Sequence, residues 1–131
     1  MSTENSSDKM TQEKEAGARK IDHEMLDVYQ AGREFLDLAK QAVEDLPTGI
    51  GHVRKQMLAA ASSITLNIAE GTGRSAGNDQ KRFYRYADGS ARECAAILDV
   101  LHAYGAIDES FFDRARTLLV QIISMLNAMI R

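Results

Sequence analysis

The chain has 131 residues, of which 27% are charged and 44% hydrophobic, and its formal net charge is −3. That length fits one domain with a substantial core, the acidic balance excludes a surface that attracts nucleic acid as a whole, and a single cysteine, Cys94, excludes an intramolecular disulfide. No apolar run approaches the ~18 residues of a membrane span and no signal peptide is visible, so the expected compartment is the cytoplasm.

Residues 1–20 are rich in Ser, Thr, Glu, Lys and Gln and carry almost no large apolar side chain. Such a segment cannot offset the entropy of ordering and is expected to be a disordered tail. The domain then spans residues 21–131. Met25, Val28, Tyr29, Gly32, Phe35, Leu36, Ala39 and Val43 follow the helical period and predict a first helix from about Asp22 to Asp45. Asp22 is its candidate N-cap, and Pro47, the only proline, ends it. A second helix is predicted from about Ile50 to Glu70, with Val53, Met57, Ala60, Ala61, Ile64 and Ile68 inward and Thr48 as its candidate cap.

The stretch that follows reads as the corner of a helical hairpin. Gly71 and Gly73 can take positive φ cheaply and stop the helix, and Ser75 can cap the next one. The third helix is predicted from about Ala76 to Tyr104, with Phe83, Ala87, Ser90, Cys94, Ile97, Leu98 and Leu101 inward. If the chain folds back about Gly73, Gly89 falls near Ala59 and Ala60 and makes a close helix crossing. Gly105 ends this helix. Asp108 caps a fourth, from about Glu109 to Ile130. Two apolar stripes run along it: Phe111, Leu118, Ile122, Met125 and Met129, and beside them Phe112, Leu119, Ile123, Leu126 and Ile130. Together they span roughly 160°, against the ~100° of a helix serving one core. Either the helix is deeply buried, or the second stripe faces another subunit. With no strand-period segment and short connections, the fold class is all-α, an up-down-up-down antiparallel four-helix bundle.

Chemistry is sparse. A di-iron bundle needs two Glu-x-x-His motifs, whereas Asp99-x-x-His102 is the nearest match and occurs once. His23 and His52 lie near helix starts and read as solvated. No phosphate loop, Cys-x-x-Cys pair or Ser–His arrangement is present, so no catalytic, cofactor or metal site is expected. Cys94 reads as a small buried thiol. Asn67, Glu70, Ser90 and Glu93 form the notable polar set. With Gly71 and Gly73 they read as a structural corner, with Glu70 reaching the amides of the third helix and Asn67 bonding backbone that the glycines leave free. From Arg54 to Arg92 there are seven basic residues and three acids, a local charge of about +4. Lys81, Arg85 and Arg92 share one face of the third helix, with Asp88 in the same line. A solvated face is the simpler reading. Arg74, Lys81, Arg82, Arg85 and Arg92 are the candidate nucleic-acid contacts.

Ser63-x-x-x-Asn67-Ile68-Ala69-Glu70-Gly71-x-Gly73-Arg74, then Phe83, then Ala87-x-Gly89-Ser90-x-x-Glu93, resembles the signature of the four-helix-bundle proteins encoded in 23S rRNA intervening sequences. The accessory variability determinant of diversity-generating retroelements is similar to that family. The resemblance covers roughly Met25 to Ile130. It implies a bundle that assembles as a homopentameric ring, and most relatives have no assigned activity. With no reaction legible in the residues, the expected role is a non-enzymatic, oligomeric scaffold or adaptor. For the retroelement branch the resemblance implies nucleic-acid and reverse-transcriptase partners. The chain departs from relatives at Leu58-Ala59, where basic residues are common, and in being acidic overall.

Overall fold

The computed structural model describes residues 21–131; the predicted tail, residues 1–20, lies outside the described residues. A 3-10 turn, Asp22–Met25, leads into four helices: α1 (Asp27–Ala42), α2 (Val53–Thr72), α3 (Asn78–Ala103) and α4 (Glu109–Ile130). Each helix packs on the next, and α4 returns to α1, which closes the up-down-up-down square. The buried positions explain why. On α3 the central row is Tyr84, Ala87, Ala91, Cys94, Leu98 and Leu101, with Ile97 buried beside it, and on α1 it is Val28, Gly32, Phe35, Ala39 and Ala42, with Leu38 buried beside it. Both sets step alternately by three and four, which keeps one seam turned to the bundle axis. Phe35, Met57, Ile64, Ile68, Leu98, Leu101, Leu119, Ile122 and Leu126 fill the centre and are fully buried. Burial stabilises each by about 1.5–3 kcal/mol relative to exposure.

Several ends differ from the sequence reading. Asp22 is not the cap of α1: it belongs to the 3-10 turn, and Leu26 occupies the N-cap of α1 without a side-chain bond. The helix stops at Ala42, because Val43 and Ile50 are both buried and draw the Pro47 turn onto the core. Thr48 does not cap α2, which follows turns from Pro47 to Ile50 and from Ile50 to Val53, with Gly49 at φ 101°. At the α2–α3 corner neither Gly71 nor Gly73 is left-handed. Gly71 is helical, Gly73 has φ −76°, and Gly77 takes φ 126°. Ser75 does not cap α3, whose N-cap is Gly77.

This displacement of the hinge shifts the α2–α3 register by about one turn. Ser63, not Ala59 or Ala60, meets Ser90, with the two Oγ atoms 2.8 Å apart. Nor is Gly89 at a crossing: two residues from the buried Ala87 and Ala91, it lies on the opposite side of α3 and faces solvent, and a Cβ there would meet nothing within 4 Å. The close approaches lie elsewhere. A Cβ on Gly32 would come 2.9 Å from Thr65 Cγ2, and one on Gly71 would come 2.8 Å from Tyr84 Cε1.

The later signals are local and appear as predicted. Gly105 has φ 70°, Ala106 N–H donates to Leu101 O at 2.9 Å, and Gly105 N–H donates to His102 O at 3.0 Å. These bonds close a Schellman cap. Asp108 Oδ1 accepts the Phe111 N–H at 2.7 Å and caps α4.

Candidate interaction surface

Between Lys55 and Glu70, α2 carries no charged residue. Its buried side is Val53, Met57, Ala60, Ala61, Ile64, Thr65, Ile68 and Gly71. What remains for solvent is uncharged: Gln56 and Ala59 are exposed, Ser62, Ser63 and Asn67 are half-buried, and Leu66 is 67% exposed. The neighbouring flank of α3 is identified by Ser90, which bonds α2. Residues seven apart share a helical face, so Phe83, Ile97 and Tyr104 lie on that flank with Ser90. Tyr86, Glu93 and Val100 lie just outside them. Tyr86 is 51% exposed, and Val100 and Tyr104 are exposed too. Most of the exposed large apolar side chains among the described residues thus fall on the α2–α3 face.

An open pocket of about 420 Å³ lies at its centre, lined by His52, Lys55, Ala59, Ser63, Ser90 and Glu93 among others. Ser63 is its hub. Asn67 Nδ2 donates to Ser63 O at 2.8 Å and to Ser63 Oγ at 2.9 Å, and Ser90 Oγ donates to Ser63 Oγ. So Asn67 and Ser90 of the polar set do come together, through Ser63, and Glu93 stands at the rim. Asn67 does not bond glycine-freed backbone as expected. Nor does Glu70 reach the amides of α3: it pairs with Arg74 one turn ahead, at the exposed corner. That hydrogen bond raises the Arg74 pKa, so the guanidinium stays charged.

The basic residues separate into two groups. Arg74 and Arg82 both lie over the Phe83 ring, 4.9 and 5.0 Å from its centroid, and both approach Asp79. Tyr86 meets Phe83 edge-on at 5.8 Å. Lys81, Asp88 and His102 share the opposite flank of α3 by their spacing. His102 contacts Glu109 at 2.6 Å and stacks on Phe112 at 4.2 Å, so that flank faces α4. There Arg92 is paired with Asp88, while Lys81 and Arg85 form no ion pair among the described residues.

The predicted subunit stripe on α4 is largely internal. Leu119 and Leu126 are 1% and 0% exposed, Phe112 packs on His102, and Ile123 and Ile130 are half-buried against the core. A helix at one corner of a square touches two neighbours, so a wide apolar arc is used inside the bundle. The outward side of α4 is a different set, Val120, Gln121, Ser124 and Met125, around an open pocket of about 470 Å³. Cys94 is buried, and desolvation, followed by the Glu93 charge, pushes its thiol up to about 12. Among the described residues no group of three or more His, Cys, Asp or Glu could hold a metal ion, and no helix is long and apolar enough to cross a membrane.

Sequence reasoning missed Leu66, Tyr86, Val100 and Tyr104 as a surface. The signal is the uncharged run between Lys55 and Glu70. No curated protein matches the chain. The family model described as 23S rRNA-intervening sequence protein matches residues 24–128, nearly the whole described bundle. With four packed helices behind that match, the chain belongs to the 23S rRNA-intervening sequence protein family.

Proposed function

We propose that the protein is a non-enzymatic cytoplasmic scaffold that works as a homo-oligomer, with the α2–α3 face as a subunit contact. The observation that carries this reading is the exposure of Leu66, Tyr86, Val100 and Tyr104 on the α2–α3 side of the bundle, beside the uncharged run of α2 between Lys55 and Glu70, with Lys55 and Glu93 at the pocket between them. Exposed apolar side chains rimmed by polar groups mark interaction sites. A ring of five follows only from the family resemblance. Light scattering tests it: a mass of several chains is expected, and five would match the resemblance. Leu66→Lys should lower that mass while leaving the helical circular dichroism intact. A wild-type monomer at micromolar concentration would refute the scaffold.

A second reading, a nucleic-acid- and reverse-transcriptase-binding accessory factor, draws support from Lys81 and Arg85, two basic side chains of α3 that form no ion pair among the described residues. Arg74, Arg82 and Arg92 are already held by carboxylates, which weighs against it. Replacing Lys81, Arg85 and Arg92 by glutamine should abolish any salt-sensitive RNA or DNA binding. Binding that survives the replacement would exclude this basic line as the contact.

A further inference from the structure

We draw no further inference here: the strongest candidate, the open pocket between α2 and α3 with Lys55, Ser63, Ser90 and Glu93 along its walls, carries nothing beyond the contact already proposed, because nothing in the structure shows what covers it.

Discussion

Replacing Gly71 and Gly89 by alanine should move stability in opposite directions, although both glycines lie within helices. At Gly71 an added Cβ would sit 2.8 and 3.0 Å from Tyr84 Cε1 and Cδ1, and 3.1 Å from the carbonyl oxygen of Gln80. Neither neighbour gives way cheaply. Tyr84 is 3% exposed, and its hydroxyl is hydrogen-bonded to Thr72 Oγ1 at 2.9 Å, so the ring is fixed at its tip as well as its base. The Gln80 carbonyl belongs to the first turn of α3. Overpacking a tight contact costs about 1–3 kcal/mol, while alanine recovers about 1 kcal/mol of helix propensity over glycine. A Cβ less than 3.0 Å from a ring held at both ends puts the cost in the upper part of that range, about 2–3 kcal/mol, so the net loss is about 1–2 kcal/mol. For a fold of this size, 1 kcal/mol corresponds to about 4 °C in Tm, so Gly71→Ala should melt roughly 4–8 °C lower. Gly89 is exposed with nothing within 4 Å of a new Cβ. Only the propensity term acts there, and Gly89→Ala should melt about 3–4 °C higher. Thermal denaturation followed by circular dichroism measures both. A neutral Gly71→Ala would refute the packing of Tyr84 on α2, and a destabilised Gly89→Ala would restore the crossing that the sequence suggested.

Three further outcomes can be checked. Asp108→Ala should cost about 1 kcal/mol in denaturant unfolding, because the Phe111 N–H loses its acceptor, whereas Asp108→Asn should be nearly silent. Gly105→Ala should cost about 1–2 kcal/mol, since its φ of 70° places a Cβ in the disfavoured left-handed region. Cys94 should resist thiol reagents at pH 8 until the protein unfolds. Because burial raises its folded pKa from 9.0 to about 12, the unfolded chain loses the thiol proton first. Stability from this group is therefore constant below pH 9 and falls as pH rises from 9 towards 12; urea midpoints measured across that range should decline.

Local signals were legible and long-range ones were not. The bounds of α4 follow from Asp108 and an uninterrupted apolar period, and the end of α3 from Gly105; each is decided within a few residues. At the α2–α3 corner three glycines, Gly71, Gly73 and Gly77, compete for one left-handed position. The choice falls on Gly77 because Tyr84 packs over Gly71 and lets α2 run on through it, a contact between residues on different helices. Once the hinge moved, the register moved by a turn and Ser63 met Ser90, while Gly89 faces solvent because it lies opposite the buried Ala87 and Ala91. The polar set illustrates the same limit. Asn67, Ser90 and Glu93 could be singled out by type and spacing, but their common partner, Ser63, emerges only when α2 and α3 are laid side by side. Glu70 found a partner four residues away instead.

The placement of charge says more about association than hydrophobicity does. Exposed positions of α1 carry Arg33, Glu34, Asp37 and Lys40, and those of α3 carry Arg82, Arg85 and Asp99, so half of the bundle is surfaced as a soluble monomer would be. The runs of α2 between Lys55 and Glu70 and of α4 between Arg116 and Arg131 are not, although both helices carry exposed charges at their ends, and these are the two helices at opposite corners. Alanine and serine on such a face have almost no rotamer freedom to lose when another chain covers them, and they let the incoming backbone approach closely. The entropic cost of docking is then low, and a few larger side chains suffice for the gain. On the proposed α2–α3 contact Leu66 and Tyr86 would supply it. A charge introduced there, at Ala59, would have to be desolvated without a partner across the contact. That is why single exposed substitutions, harmless to the folded bundle, are expected to take the assembly apart.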